Sequence, residues 1–177
     1  MSAGIDLSWN KKRRLLFVCL VVFRDSNIAF KAYKFLADAI MERRLHYRRL
    51  TSKKKKILLS AVESAINSRI GISKDNIFVF KIIIHRNTNI LSKYSWLEKA
   101  VANIILMVRR YRNYPHQVIM GSDLERGSYS FARNLQRRLY DKILVYVDDK
   151  SPEVCVADAI VNYARVRGVL PTKSHHC

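Results

Sequence analysis

The acidic residues of this sequence are few, and several stand where a carboxylate is costly. Asp6 interrupts Gly4-Ile5-Asp6-Leu7-Ser8-Trp9, an alternating stretch that predicts a short strand, an environment depleted in charge. Glu63 follows Leu59 by four residues and precedes Ile66 by three, so it borders the apolar face of a helix. Asp158 stands in the same relation to Val154 and Val161. Asp123 comes just after Val118-Ile119-Met120, while Asp148 and Asp149 close the run from Ile143 to Val147. These acids fall at the carboxyl ends of predicted strands, where α/β proteins bind ligands. Helices packed on the same sheet can bring Glu63 and Asp158 to that edge. Converging carboxylates repel one another unless a cation neutralises them. An all-oxygen donor set suits Mg²⁺ or Mn²⁺ better than zinc. Metal ions so held activate water and stabilise a leaving oxygen, the chemistry of phosphodiester cleavage.

Charge supports the same substrate class. Among 177 residues, 33 Lys and Arg face 14 Asp and Glu, a formal net charge of +19 that favours a polyanionic partner. Basic surface would hold the nucleic-acid backbone around an acidic hole. Lys53, Lys54, Lys55 and Lys56 form one candidate contact, and Arg137 with Arg138 another. Arg109-Arg110-Tyr111-Arg112-Asn113-Tyr114 interleaves cations with rings, the mixture that single-strand binding needs. An equally good reading has Tyr111 or Tyr114 covering the core edge at a helix end.

Other chemistries are excluded by what is missing. There is no G-x-x-x-x-G-K-[ST] or G-x-G-x-x-G, hence no P-loop or Rossmann signature. Cys19, Cys155 and Cys177 form no C-x-x-C pair, which argues against a zinc knuckle or disulfide framework and for a reducing, cytoplasmic setting. Cys19 lies in an apolar run and reads as core. Cys155 lies near a helix start, which could lower its pKa, but it has no evident histidine partner. His85 and His116 read as surface residues, and His175-His176 as part of a frayed tail. The longest apolar run, Leu15 to Phe23, is strand-sized, so no membrane partner is expected.

The elements that must position these acids follow from periodicity. Gly4–Trp9 and Leu15–Phe23, separated by a polar turn, predict an antiparallel hairpin. A helix is expected over 27–45, followed by a basic exposed stretch over 43–56. A second helix is expected over 53–69, closed by Gly71. Strands over 77–84, 117–120 and 143–147 then alternate with helices over 96–108, 128–139 and 152–165. Ser151 should cap the last helix, with Pro152 at its first position. The expected fold is α/β: a mixed sheet with an N-terminal hairpin, flanked by helices, over residues 1–171, with a flexible tail over 172–177.

The opening Ile5-Asp6-Leu7-Ser8, and the closing Asp148-Asp149-Lys150-Ser151 with Val156-Ala157-Asp158-Ala159-Ile160, resemble the ribonuclease-H-like superfamily. They look most like its compact members that begin with a D-x-S strand and end with an A-D helix. Leu7, Trp9 and Cys155 stand where those members often have an acid, glycine and glutamine. The resemblance implies a nuclease binding two divalent ions, with Asp6, Glu63, Asp123 and Asp158 as catalytic ligands. Asp148, Glu98 and Glu125 are alternatives for the middle two places, and Asp148 also counts as a candidate metal ligand. A PIN-like nuclease fits less well, because there the first strand leads into a helix.

The substrate expectation is single-stranded DNA, cleaved as an exonuclease would cleave it, in preference to RNA or duplex. A short chain leaves no room for a duplex-clamping domain, and rings at Tyr111 and Tyr114 suit unpaired bases. The alternatives are a non-catalytic basic nucleic-acid-binding protein and an assembly scaffold. Homo-oligomer formation is left open.

Overall fold

The structure, a computed structural model, describes residues 1–10, 12–83, 94–109, 115–121, 128–140 and 142–168. Strand β1 (Ser2–Asn10) pairs antiparallel with β2 (Leu15–Phe23) along its whole length, so the expected hairpin is present. On its far side β2 pairs antiparallel with β3 (Ile77–Ile83). The other edge of β1 runs parallel to β4 (Gln117–Met120), which runs parallel to β5 (Leu144–Val147). The order across the sheet is β3-β2-β1-β4-β5.

All nine residues of β2 are buried because helices cover both faces of the sheet. Helices α1 (Ser26–Ala39), α2 (Ser52–Asn67) and α5 (Pro152–Arg167) pack on the face reached by Leu15, Phe17, Cys19, Val21 and Phe23. Helices α3 (Tyr94–Arg109) and α4 (Ser128–Arg138) pack on the face reached by Leu16, Val18, Leu20 and Val22. Strand β1 divides the same way. Ala3, Ile5, Leu7 and Trp9 join the α3–α4 core, which leaves Ser2, Gly4, Asp6 and Ser8 facing α5.

Three local expectations are corrected. Helix α1 ends at Ala39 and does not reach Leu45, because Met41 turns left-handed at φ 54° and its N–H bonds Asp38 O. Leu45 and Tyr47, freed from the helix, tuck into the core. Helix α2 is closed by Ser68 and left-handed Arg69 (φ 55°), not by Gly71. Gly71 serves packing instead: a Cβ there would lie 2.7 Å from the carbonyl oxygen of Ile28. Ser151 precedes α5, yet its hydroxyl donates to Glu153 Oε2 (2.6 Å) and caps no amide.

Helix α5 is buried from Glu153 to Ala164, far more than an amphipathic surface helix, because it lies directly on β1. At Gly4 the approach is so close that a Cβ would fall 2.0 Å from the carbonyl oxygen of Glu153. Only glycine fits there. No described helix is long and apolar enough to cross a membrane.

Candidate active site

The register of α5 on β1 is fixed at both ends by serine hydroxyls. Ser2 Oγ donates to Glu153 Oε1 (2.9 Å), and Ser8 Oγ donates to Asn162 Oδ1 (3.1 Å). Asp6 lies between these anchors and is buried. The D-x-S spacing thus has a structural meaning: both side chains project toward α5, the serine to hold the helix and the aspartate to stand beside it.

Cys155, on the first turn of α5, marks where the acids gather. Burial, and then the charges of Asp158, Asp148, Asp149 and Asp6, push its thiol up to about 12. The lowering expected from a helix N-terminus is therefore overturned, because desolvation and four anions outweigh the helix dipole. Cys155 is a neutral packing residue among carboxylates, and Cys19 is core as expected.

Asp6 and Asp149 converge on one position. A Cβ built on Gly121, directly after β4, would sit 3.4 Å from Asp6 Oδ1 and 3.3 Å from Asp149 Oδ1. The turn carrying Asp149 is tied to the same place, since the Asp148 N–H donates to the carbonyl oxygen of Met120 (3.0 Å). Asp148 itself is exposed and accepts the N–H of Lys150 (2.9 Å).

Asp158 has a different setting. Its Oδ1 accepts from Asn162 Nδ2 (2.7 Å), and its Oδ2 accepts the backbone N–H of Tyr47 (2.8 Å). His46 Nδ1 lies 3.8 Å from the same Oδ2. Asp158 thus binds the α1–α2 connection to α5. The Tyr47 ring is flanked by Lys55 Nζ at 5.3 Å and Arg165 Cζ at 5.8 Å from its centroid. Around this anchored backbone, Arg43, Arg44, Arg48, Arg49, Lys53 and Lys56 are exposed. Residues 43–56, with eight Lys and Arg and no acid, are therefore held beside Asp158.

The remaining sequence candidates scatter. Glu63 is exposed on α2, where its charge adds to burial in raising the phenol of Tyr163; it is not among the acids felt by Cys155. Asp123 and Glu125 lie outside the described residues, as do Arg110, Tyr111, Arg112 and Tyr114 and the side chain of Arg109. Of the lysine run, Lys54 pairs with Glu42 (2.5 Å) and Lys55 sits over Tyr47. Arg137 is exposed, whereas Arg138 pairs with Glu98 (3.4 Å), a buried acid that also accepts from Asn134 and so ties α3 to α4.

Sequence reasoning set Asp149 beside Asp148 but chose Asp148 as the ligand, and it passed over Gly121. The signals were a paired Asp-Asp after one strand and a glycine directly after another. Both aspartates are exposed, and it is Asp149 whose Oδ1 lies beside Gly121, a placement set by the turn's backbone that no spacing reveals.

A hard divalent cation fits the donor chemistry of Asp6 and Asp149, whose carboxylate oxygens border one side-chain-free position. Among the described residues no three His, Cys, Asp or Glu side chains are grouped to hold a metal, so two carboxylates are the set in view.

With sheet order, hairpin and acid positions in hand, the class is clear: the fold is ribonuclease-H-like, a mixed five-stranded sheet with helices on both faces. The chain is similar to a chain of the PCNA:RNase HII complex from Archaeoglobus fulgidus, at TM-score 0.62 and 19% identity, over 94% of this chain and 73% of that one. It is similar also to the ribonuclease H2 from Pyrococcus horikoshii, at TM-score 0.58 and 18% identity, over 94% and 72%. No family model and no curated protein sequence matches it.

Proposed function

We propose that this chain is a divalent-metal-dependent nuclease that hydrolyses phosphodiester bonds. The observation that carries the reading is the convergence of Asp6 and Asp149 over Gly121, at the strand ends of a ribonuclease-H-like sheet. Asp6 and Asp149 would hold Mg²⁺ or Mn²⁺, and Asp123, in the connection that follows β4, is the candidate to complete the set. Two ions are the expected complement, as in the superfamily the sequence resembles. Such ions, when bound, supply a nucleophilic water and stabilise the leaving oxygen. Asp148 and Asp158 act with Asp6 and Asp149 on Cys155, and Asp158 orients the basic α1–α2 connection through the Tyr47 N–H. Glu63, exposed on α2, is the weakest of the proposed ligands.

The exposed cations of the α1–α2 connection would bind phosphates next to Asp158, with Lys53 and Lys56 extending that surface, while Arg137 lies on α4, across the sheet, and would be a separate contact. The favoured substrate is single-stranded DNA shortened from an end. The two structures named above each include a ribonuclease by name, so RNA belongs in the test. Labelled single- and double-stranded DNA, RNA and an RNA–DNA hybrid, each incubated with Mg²⁺, Mn²⁺ or EDTA, decide the matter. Metal-dependent cleavage by the wild type and none by Asp6→Asn is expected. Binding without cleavage on every substrate and metal would identify a non-catalytic nucleic-acid-binding protein instead.

A further inference from the structure

A hollow lies at the end of the molecule where β1 begins and β2 ends. It is bordered by Phe23 and Arg24 after β2, Ile28 and Lys31 on α1, and the connection from Arg69 to Ser73. Its volume is about 520 Å³, the size of a small-molecule site. Val22 and Phe23 pair with Ala3 and Ser2, four residues back from Asp6 on β1, which sets the hollow about 13 Å from the carboxylates along the strand. It is a separate place on the surface.

Its lining has a divided character. Ile28, Ile70 and Ile72 supply an apolar floor, with Asn76 and Ser73 as polar groups at one side. Three exposed cations, Arg24, Lys31 and Arg69, border it, and among the described residues no carboxylate lines it. The neighbouring Asp25 is turned onto α1, where its Oδ1 accepts the N–H of Ile28 (3.0 Å). Among the described residues none of the three cations has an ion-pair partner, whereas Lys54 and Arg138 do. Like charges held around one hollow repel each other, and an anion entering it relieves that repulsion.

The backbone is shaped for this. Arg69 is left-handed at φ 55°, a conformation that L side chains rarely adopt. The Ile70 N–H bonds Ala65 O (2.9 Å), and Gly71 is pressed against α1, so the rim is fixed on both sides. Arg69 thus borders the same hollow as Arg24 and Lys31.

We infer that this hollow binds a nucleoside monophosphate group, its phosphate against Arg24, Lys31 and Arg69 and its base on Ile28, Ile70 and Ile72. The group comes from a free mononucleotide or from the phosphorylated end of a strand. The inference does not rest on the nuclease reading, since it uses none of the carboxylates.

Titration calorimetry on the full chain in EDTA tests it, with AMP, adenosine and inorganic phosphate as probes. AMP is expected to bind more tightly than either of its parts. An Arg24→Ala/Arg69→Gly double variant should lose at least about tenfold in AMP affinity, as expected for removing charged hydrogen-bond donors. Glycine relieves the left-handed strain at position 69, so the variant should unfold no earlier than wild type, which a thermal melt checks. Displacement of AMP by a 5′-phosphorylated oligonucleotide, but not by its 5′-hydroxyl form, assigns the site to a strand end. No displacement by either assigns it to a free nucleotide. Equal AMP affinity in wild type and double variant, no AMP binding at millimolar concentration, or loss of binding in Asp6→Asn would each overturn the inference.

Discussion

Asp6 on the first strand and Asp149 before the last helix press their Oδ1 atoms against the same side-chain-free position at Gly121. They come from opposite ends of the chain, and three pieces of packing bring them together. Gly4 lets α5 lie on β1, Ser2 and Ser8 fix its register, and the Asp148 N–H ties the turn to β4. Each piece can be broken separately.

Gly121→Val should fill the gap between the two carboxylates. Overpacking of this kind costs about 1–3 kcal/mol in stability. The larger expected effect is on the site: Mn²⁺ binding, followed by calorimetry, should disappear while the melting transition remains cooperative. Gly121→Ala needs its neighbours to yield only a few tenths of an ångström, so it should retain part of the binding. A Gly121→Val protein that binds Mn²⁺ like wild type would show that the ion does not sit there.

Asp6→Asn, Asp149→Asn and Asp158→Asn should each abolish hydrolysis; the first two should leave nucleic-acid affinity nearly intact, while the third should also unfold easily and loosen the basic α1–α2 connection. Both Asp158 oxygens accept hydrogen bonds, from Asn162 Nδ2 and the Tyr47 N–H. An asparagine must set its own NH₂ against one of those donors whichever way it is turned, which costs about 1–3 kcal/mol. Urea unfolding of the three variants separates a ligand from a residue that also secures the α1–α2 connection.

Gly4→Ala tests the foundation. A methyl group 2.0 Å from the carbonyl oxygen of Glu153 meets backbone, not a flexible side chain. The helix must move, at a cost of about 3 kcal/mol or more. Loss of the cooperative thermal transition, or a large fall in its midpoint, is expected. An unchanged midpoint would mean that α5 does not lie where described.

Much of this arrangement is legible in the residues, and the part that is not has physical reasons. The hairpin shows because β2 is β-branched and aromatic without interruption, and β4 and the start of α4 fall where periodicity puts them. Asp6 and Asp158 stand out because a charge inside an apolar pattern has few explanations. Asp149 could not be told from Asp148, since the choice rests on the turn's backbone. The end of α1 was misread because Ile40, Met41 and Leu45 continue an apolar spacing, while a left-handed Met41 leaves no mark in the sequence. Glu63 lies on the border of an apolar face by spacing, yet the packing of α2 leaves it exposed.

Nucleic-acid binding should weaken steeply with salt, and the structure ranks the lysines. Lys54 and Lys55 are engaged with Glu42 and Tyr47, while Lys53 and Lys56 are exposed. A Lys53→Ala/Lys56→Ala variant should lower the log–log salt slope on a single strand by about 1.4, the counterion release of two phosphates. Lys54→Ala and Lys55→Ala should change the slope less and stability more. Fluorescence anisotropy over a salt series gives both numbers, and an unchanged slope in the first variant assigns Lys53 and Lys56 to solvent.

The proposed preference for a single strand rests on residues 109–114, where arginines alternate with Tyr111 and Tyr114. Rings can stack on unpaired bases but cannot reach bases held in a duplex. Tyr111→Ala and Tyr114→Ala should each weaken single-strand binding by about 1–3 kcal/mol and leave duplex binding unchanged. Equal losses on both substrates would show that the rings support the fold and not the substrate. Cleavage from an end makes a separate demand: a covalently closed single strand has no end to offer. Time courses on a linear strand and on its circular form, with the same metal and salt, should show the linear strand shortened and the circle intact. Opening of the circle at the linear rate would point to an endonuclease, while leaving the proposed metal site and single-strand preference untouched.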